Sequence, residues 1–308
     1  MMQAKPILKW AGGKTQLSTT IDERIPEKFK QGSFTYVEPF IGGGAMFFWM
    51  KKHYQLEKTV INDINPNLIN CYRTVKNDVT NLIDGLEVIQ NSYWKLANDK
   101  EEKKQFYYNV RQLFNDNQKY DLEKAIHLIF LNKTCFNGLY RVNRKGFFNV
   151  PIGSYKKPVI CNESNLRLVS EALQDTIILN GDYRKTISHA SKNSLFYLDP
   201  PYKPISETSN FNAYAKGSFD DEEQIRLSKF CNELSSQNCS WILSNSDVNS
   251  DTNPDSFFDE LYKDYDIRRV QASRAINSVS SKRGKLNEIL ISNGWFEFDG
   301  RKYVCGIH

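Results

Sequence analysis

Four consecutive residues, Asp199-Pro200-Pro201-Tyr202, are the strongest candidates for chemistry in this chain of 308 residues. They follow Ser194–Leu198, an apolar run that predicts a buried strand. Because prolines cannot continue a sheet ladder and fix φ, they hold the neighbouring groups rigidly at the end of that strand. A carboxylate and an adjacent carbonyl can accept the two N–H bonds of a planar amine while the ring stacks on its face. The segment therefore predicts an amine-binding site, with an ordinary strand-ending turn as the simpler alternative.

A second group of residues is typical of a site for an adenosine-containing cofactor. The predicted strand Phe34–Val37 runs into Glu38–Gly44, whose three glycines let the backbone approach a ligand, and a helix is predicted over Ala45–Lys52. The next predicted strand, Thr59–Ile61, is followed by Asp63, where a carboxylate would meet ribose hydroxyls. The spacing matches neither the dinucleotide fingerprint nor the phosphate loop of nucleoside triphosphate enzymes.

A third candidate, Lys9-Trp10-Ala11-Gly12-Gly13-Lys14, places two lysines and a tryptophan around a Gly-Gly turn. These side chains could clamp a small zwitterion or a phosphate. An exposed N-terminal turn is the favoured interpretation when this segment is considered by itself.

Composition indicates a soluble globular protein. Hydrophobic residues make up 40% of the chain, and no apolar run approaches the ~20 residues of a membrane span. The first residues lack the apolar core of a signal peptide. The six cysteines and four histidines show neither CxxC pairing nor zinc spacing, so we expect reduced thiols, no metal and a cytoplasmic location.

Basic residues are concentrated in two segments that contain no acidic residue. Lys124–Asn162 carries seven Lys or Arg residues, and Ile267–Asn287 carries six. Such runs are often solvated faces, and the net charge of only +5 is weak evidence by itself. Because aromatic and amide side chains are interleaved with the charges, these segments favour a nucleic-acid partner.

The order of predicted elements indicates one α/β domain interrupted by a mostly helical insertion. We expect the catalytic domain to comprise residues 1–75 and 160–308, and the insertion residues 76–159. Within the insertion, Cys135–Pro158 is rich in Asn, Gly, Arg and aromatic residues and predicts a hairpin with loops. Further helices are predicted at Pro66–Val75, Lys103–Phe114 and Leu122–Asn132, and later strands at Thr176–Leu179, Ser240–Ser244 and Glu288–Ile291.

In combination, these segments resemble the Dam-type DNA adenine methyltransferases, the α-group N6-adenine enzymes that use S-adenosylmethionine. The order matches too: cofactor motifs first, the recognition insertion next and the catalytic motif last. The resemblance implies a Rossmann-like methyltransferase sheet with an inserted, mostly helical target-recognition domain. The matching segments are Lys9–Lys14, Glu38–Gly44, Asn62–Asn65, Gly181–Tyr183 and Asp199–Tyr202, and those similar to the recognition hairpin are Asn137–Arg141, Phe148–Gly153 and Tyr155–Pro158.

The resemblance also implies which residues bind the cofactor. The N-terminal turn and the glycine loop would hold the methionine part, Asp63 the ribose, and Asp182 with Tyr183 the adenine ring. The implied cofactor-binding residues are Trp10, Ala11, Gly12, Lys14, Glu38, Phe40, Gly42, Gly44, Asp63, Asp182 and Tyr183.

The implied reaction is methylation of N6 of an adenine flipped out of duplex DNA, with GATC as the expected site. Asp199 and the Pro200 carbonyl would accept the two N6 hydrogens, and Tyr202 would stack on the base. Positioning and electrostatics would then align the amine for in-line displacement without a metal.

The basic insertion supplies the expected DNA contacts. Phe136 would enter near the vacated base stack, and Asn137, Leu139 and Arg141 would read the groove, because Arg to guanine is the commonest specific contact. Lys9 resembles a family position close to the target-site guanine. The segment Phe211–Tyr214 resembles one that flanks the flipped base. The predicted DNA-binding set is completed by Pro151 and by the phosphate contacts Arg144, Lys145, Lys156 and Lys157.

Several alternatives stay open at this point. An RNA or protein N-methyltransferase would typically carry Asn in place of Asp199, whereas a non-catalytic DNA-binding homologue would have no need for the acidic cofactor residues. Ser154 stands where family members often have a basic residue, so the strength of target discrimination is open. The expected partner is double-stranded DNA, bound by a monomer or weak dimer. The enzyme could act with a cognate restriction endonuclease on the same site or as an orphan methylase.

Overall fold

A computed structural model describes the protein over most of its length. The described residues are 3–10, 17–202, 219–247, 256–273, 285–298 and 301–304. The chain forms two compact units. The first unit comprises Met1–Gly13, Ile41–Lys52 and Asn62–Asp182, and the second comprises Lys14–Phe40, His53–Ile61 and Tyr183–His308. The assignment of residues 76–159 to an inserted recognition domain stays a prediction.

The strands form a seven-stranded mixed sheet and a separate two-stranded pair, which confirms the predicted α/β class. The strands are β1 Phe34–Glu38, β2 Leu56–Asp63, β3 Thr176–Asn180, β4 Ser194–Leu198, β5 Ser240–Ser246, β6 Asp266–Ser273, β7 Lys285–Ser292, β8 Trp295–Phe298 and β9 Arg301–Val304. The order in the large sheet is β3-β2-β1-β4-β5-β7-β6. Strand β1 pairs in parallel with β2 and β4, β4 pairs in parallel with β5, and β7 is antiparallel to both β5 and β6.

The apolar run that precedes Asp199 forms the central strand of the sheet. Every residue of β4 is buried, and β4 lies between β1 and β5. Because every one of its residues is buried, both faces of β4 are covered, so its sequence is almost continuously apolar rather than alternating. The core position of β4 explains why the predicted strand was recognisable, and it gives the following residues a rigid support.

Ten α-helices are present within the described residues. They are α1 Ser18–Asp22, α2 Glu27–Lys30, α3 Ala45–His53, α4 Pro66–Asn77, α5 Val79–Lys95, α6 Lys100–Asp116, α7 Leu122–Thr134, α8 Glu163–Leu173, α9 Asp221–Ser236 and α10 Phe257–Leu261. None of them is long and apolar enough to cross a membrane. In the first unit α4 contacts α7 and α8, and α7 also contacts α5 and α6.

Helix α4 begins where local sequence chemistry requires it. The side chain of Asn65 accepts the N–H groups of Asn67 and Leu68, at 3.0 and 3.3 Å, and so satisfies two donors of the first turn. Pro66 occupies the first helical position. The N–H group at this position has no partner within a helix, so proline, which lacks an N–H, fits there without loss of a hydrogen bond. This start, three residues after Asp63, places α4 directly beyond the end of β2.

The predicted elements are all present, most of them a few residues longer than expected. The helix predicted at Lys103–Phe114 is α6, and the strand predicted at Glu288–Ile291 is β7. Residues 135–158 form a hairpin with loops, as predicted, with antiparallel bridges from Cys135 to Ile152 and from Val142 to Phe148. Six helices and three strands were not individually predicted: α1, α2, α5, α8, α9 and α10, and β6, β8 and β9.

Candidate active site

Three strands that run parallel end at or directly before a carboxylate. Strand β1 ends at Glu38, β2 ends at Asp63, and Asp199 follows the last residue of β4. The carboxyl ends of parallel strands in open α/β sheets are where ligands bind. The strand order therefore accounts for three of the predicted site residues.

The glycine loop after β1 adopts a backbone conformation in which residues with a Cβ atom would be strained. Gly42 and Gly44 have φ values of +47° and +77°, in the left-handed region that favours glycine. A Cβ atom on Gly44 would lie 2.7 Å from the hydroxyl of Tyr72, and one on Gly42 would lie 3.0 Å from the ring of Trp10. The Tyr72 hydroxyl donates to the Gly42 carbonyl at 3.0 Å and so holds the loop against α4.

Asp63 binds the glycine loop with one carboxylate oxygen and the residue that caps α4 with the other. Its Oδ2 accepts the N–H of Gly42 at 3.1 Å, and its Oδ1 accepts the N–H of Asn65 at 2.9 Å. Burial raises the pKa of Asp63 above its ordinary value, although the backbone donors act in the opposite direction. Asp63 thus has a structural task in addition to the predicted contact with ribose.

An exposed isoleucine beside Asp63 escaped the sequence analysis. Ile64 directly follows Asp63 and is 76% exposed. A large apolar side chain open to solvent at the end of β2 is suited to cover one face of a planar ligand. The signal was available in the sequence, because Ile64 interrupts the polar segment from Asn62 to Asn65.

Asp182 lies beside the end of β2. The N–H of Gly181 donates to the Asp63 carbonyl at 3.0 Å, and the side chain of Asn62 donates to the Gly181 carbonyl at 2.9 Å. The side chain of Asn180 donates to the same Asp63 carbonyl at 2.8 Å. These bonds place Asp182, the next residue, adjacent to the strand end that carries Asp63.

In the second unit, Tyr183 and Phe40 belong to an aromatic cluster. Their ring centroids lie 5.2 Å apart, and the ring of Phe230 on α9 lies 5.3 Å from that of Tyr183. The guanidinium of Arg226 lies 5.1 Å from the Tyr183 ring. Because Tyr183 is buried, its ring supports the site mainly by packing, whereas half-buried Phe40 keeps part of its surface accessible.

The candidate catalytic segment is held by hydrogen bonds from β5 and α9. The Ser244 hydroxyl donates to Asp199 Oδ1 at 3.0 Å, and the side chain of Gln224 donates to the Pro201 carbonyl at 3.4 Å. Asp199 and Tyr202 are half-buried and Pro200 is buried. The carboxylate thus sits at the end of a core strand in a fixed orientation, which is the arrangement the sequence predicted for gripping an amine.

Glu38 is likewise oriented by a neighbour on its own strand. The hydroxyl of Tyr36 donates to Glu38 Oε2 at 2.8 Å, and both side chains are buried. Burial, together with the adjacent Glu38 carboxylate, raises the pKa of Tyr36 well above its ordinary value, so the tyrosine stays a donor. Glu38 is therefore presented with a set direction at the end of β1.

Lys9 and Trp10 contact the predicted recognition segment within the first unit. Buried Asn132, on α7, accepts the Lys9 N–H at 2.8 Å and donates to the carbonyls of Lys9 and Gly138, both at 2.9 Å. The Trp10 ring stacks on Tyr140 with centroids 5.0 Å apart. Gly138 has a φ of +66°, and a Cβ there would come within 2.4 Å of the Lys9 side chain. These contacts bring together two segments that are far apart in sequence.

The hairpin presents its predicted readers to solvent. Phe136 is 48% exposed, and Asn137 has a φ of +56°, which an asparagine tolerates. The Arg141 Nε donates to Asn149 Oδ1 at 2.8 Å across the hairpin. Arg144 and Lys145 are exposed in the turn that joins its two sides, while Leu139 is half-buried.

A buried lysine orders the loop that carries the other predicted phosphate contacts. Lys103 Nζ donates to the carbonyls of Tyr155 and Lys156, at 2.7 and 2.5 Å, and burial lowers its pKa. Lys156 and Lys157 are themselves exposed. Pro151 is also exposed, and its carbonyl accepts the N–H of Phe136 at 2.9 Å. Most predicted DNA contacts are thus exposed within the first unit.

Some predicted site residues lie outside the described part of the chain. They are Ala11, Gly12 and Lys14 of the N-terminal turn and the segment Phe211–Tyr214. Among the described residues, no group of three or more His, Cys, Asp or Glu side chains could hold a metal ion.

Comparison with known proteins agrees with this geometry. Residues 10–276 match the family model of the D12 class N6 adenine-specific DNA methyltransferases. The chain is 45% identical to the type II methyltransferase M.MjaIII of Methanocaldococcus jannaschii, over 95% of this chain and 100% of the relative. It is 38% identical to the type II methyltransferase M1.LlaDCHI of Lactococcus lactis, over 94% of this chain and 95% of the relative. It is 33% identical to the DNA adenine methylase of Haemophilus influenzae, over 94% of this chain and 93% of the relative.

The matched region contains the glycine loop, the acids that end the parallel strands, the basic hairpin and the Asp-Pro-Pro-Tyr segment. A family that methylates the exocyclic amine of adenine needs a grip for a planar amine beside a site for a methyl donor. The chain therefore belongs to the D12 class of N6 adenine-specific DNA methyltransferases and is an adenine-specific DNA methyltransferase.

Proposed function

We propose that this methyltransferase binds S-adenosylmethionine at the glycine loop and Asp63 and methylates N6 of an adenine flipped out of duplex DNA, within the sequence GATC. The observation that carries the proposal is the rigid presentation of Asp199. Its carboxylate ends a fully buried strand and receives the Ser244 hydroxyl. Such a carboxylate can accept a hydrogen of the adenine amine without reorganising.

The residues at the strand ends fit an adenosine-containing methyl donor. The glycine loop lets the backbone turn tightly at the end of β1 without side chains at Gly42–Gly44, and the Asp63 carboxylate beside it can accept ribose hydroxyls. Exposed Ile64 can cover one face of the adenine ring. When bound, S-adenosylmethionine would supply a methyl group already activated as part of a sulfonium.

The chain's own contribution to the reaction is to prepare the amine. The N6 lone pair of adenine is delocalised into the ring, so it must be localised before it can attack a methyl group. By accepting the two N6 hydrogens, Asp199 and the Pro200 carbonyl favour a pyramidal nitrogen, and Tyr202 stacks on the base. The localised lone pair would then take the methyl group, the sulfur would keep the electron pair of the bond that breaks, and the Asp199 carboxylate would accept the proton that N6 releases.

Access to N6 requires the adenine to leave the base stack, at a cost of about a few kcal/mol. Phe136, whose ring is 48% exposed on the hairpin, is the residue we expect to enter the vacated stack. The assignment to GATC rests on the resemblance of residues 137–141 and 155–158 to the recognition hairpin of Dam-type enzymes. Relatives include type II methyltransferases and DNA adenine methylases, so both a restriction-modification role and an orphan role fit the chain.

Long-read modification mapping tests the proposed reaction and its site together. The chain is expressed in cells that lack adenine methylation, and their genomic DNA is sequenced. We expect N6-methyladenine at GATC and unmodified adenines elsewhere. Methylation at another sequence would refute the assignment to GATC and would still support methylation of adenine N6. Methylated RNA together with unmodified DNA would refute DNA as the substrate.

Replacing Arg141 with alanine tests the assignment of a base-reading residue. A bidentate contact from Arg to guanine contributes about 1–3 kcal/mol of discrimination, so Arg141→Ala should lower the preference for GATC about 5- to 150-fold. The measurement is the ratio of kcat/KM values on GATC and on duplexes with one base changed. Exposed Arg144 provides the matched control, because Arg144→Ala should weaken binding to all duplexes equally. A uniform loss for Arg141→Ala would instead identify a phosphate contact.

A further inference from the structure

We propose that Ser244 is a positioning residue for methyl transfer, which orients the Asp199 carboxylate through a hydrogen-bond chain that begins at Tyr197. The Ser244 hydroxyl donates to Asp199 Oδ1 at 3.0 Å, and the Tyr197 hydroxyl lies 3.1 Å from Ser244 Oγ. This inference rests on the proposed catalytic role of Asp199 and adds the two residues that prepare it.

The pairing of β4 and β5 makes this contact a consequence of the fold. The strands are parallel with Leu198 opposite Leu243, so Asp199 and Ser244 occupy the next positions along the two chains. Successive side chains on a strand point to opposite faces, and therefore Tyr197 and Asp199 share one face. The register thus brings the phenol, the hydroxyl and the carboxylate to the same side of the sheet.

A hydroxyl at this position is not explained by packing alone. Ser244 is 0% exposed and follows Trp241, Ile242 and Leu243, which are all buried and apolar. An alanine or valine would suit such a strand, since a buried hydroxyl costs free energy unless it is hydrogen-bonded. The serine places its donor on the carboxylate that the mechanism uses.

The direction of the hydrogen bonds follows from the number of available protons. A serine hydroxyl has a single proton, and Ser244 gives it to Asp199. The Tyr197 hydroxyl must therefore donate to Ser244. Burial, followed by the nearby Asp199 charge, raises the pKa of Tyr197 well above its ordinary value, so this phenol stays protonated and remains a donor.

The expected consequence is a fixed plane for the carboxylate. With Oδ1 bonded to Ser244, rotation of the Asp199 side chain is restricted, and the lone pairs that accept the amine hydrogen keep their direction. Without Ser244 the carboxylate can turn away from the amine while the cofactor and the DNA still bind. Ser244 should therefore affect the rate of methyl transfer far more than the affinity for either ligand.

The test compares Ser244→Ala, Ser244→Thr and Tyr197→Phe with the unchanged enzyme in single-turnover methyl transfer. A hydrogen bond to a charged group is lost, so Ser244→Ala should lower the rate about 10- to 100-fold. Threonine keeps the hydroxyl and should restore the rate to within about 3-fold, while Tyr197→Phe should lower it about 2- to 10-fold. The KM for DNA and the Kd for S-adenosylmethionine should change by less than about 3-fold.

Ser228→Ala is the matched control, because Ser228 is also buried but its hydroxyl donates to the Ile225 carbonyl within α9. It should leave the single-turnover rate unchanged. Unchanged rates in both Ser244→Ala and Tyr197→Phe would overturn the inference, and so would a rate loss matched by weaker cofactor or DNA binding. Asp199→Ala, measured alongside, separates the two claims: if it still transfers methyl groups, the proposed function itself fails.

Discussion

Replacing Asp199 with alanine should abolish methyl transfer while leaving cofactor binding within about 3-fold of the unchanged enzyme. The variant removes the carboxylate that accepts an N6 hydrogen, so the lone pair of the amine stays delocalised. Loss of a positioned group that acts on the reacting atom lowers rates by at least about 100- to 10,000-fold. Because Asp199 follows β4 rather than lying in the glycine loop, the cofactor contacts should persist.

The measurement is transfer of tritium from labelled S-adenosylmethionine to a GATC duplex, with cofactor affinity determined by calorimetry. Asp264→Ala serves as the control, since Asp264 is exposed on the surface of the same unit. Transfer by Asp199→Ala at the control rate would contradict the mechanism. A cofactor affinity that falls in parallel with transfer would place Asp199 in the cofactor site instead.

Replacing Asp63 with asparagine should weaken binding of S-adenosylmethionine about 10- to 100-fold. The two carboxylate oxygens accept the backbone N–H groups of Gly42 and Asn65. An asparagine side chain has one oxygen, and its NH2 group would face one of these donors. The glycine loop would then lose a hydrogen bond, and the predicted ribose contact would lose an acceptor.

The pH dependence of cofactor binding provides a second test of Asp63. Burial raises the pKa of this carboxyl above its ordinary value. The carboxylate form, which accepts the hydrogen bonds, is therefore lost as the pH falls through that raised pKa. Cofactor affinity should decline on acidification at a higher pH than an ordinary aspartate would give, and Asp63→Asn should remove this dependence.

Calorimetric titration across the acidic range measures both effects. Asp84→Asn, at an exposed position on α5, is the matched control and should bind the cofactor normally at every pH. If Asp63→Asn lowers the melting temperature of the unliganded protein but leaves cofactor affinity intact, then Asp63 serves only the glycine loop. That outcome would move the ribose contact to another residue.

The helices and strands that frame the site were predictable because their signals are local. An apolar run of five residues before Asp199 indicates a strand that is covered on both faces. The glycine loop is recognisable because its left-handed positions strongly favour glycine. The start of helix α4 is indicated by Asn65, whose side chain can accept N–H groups of the first turn, and by Pro66, which favours the first helical position. Each of these signals depends on neighbours a few residues away.

Other features could not be derived, because they depend on partners far apart in the chain. One such feature is the position of β7, which lies antiparallel between β5 and β6 although it comes after both of them in the chain. The link from Asn132 to Lys9 spans 123 positions. No local pattern encodes such a contact, since the same asparagine could equally be a solvated helix residue.

The sequence by itself determined the family of this protein and predicted its chemistry: an Asp-Pro-Pro-Tyr segment for an amine, a glycine loop with its acid, and a basic hairpin. These predictions were possible because the residue types and their order indicate what each segment can bind. Only the tertiary structure decided how the Asp199 carboxylate is held. The register of β4 against β5 brings Ser244 to Asp199 across 45 positions, a contact that no local pattern in the sequence encodes.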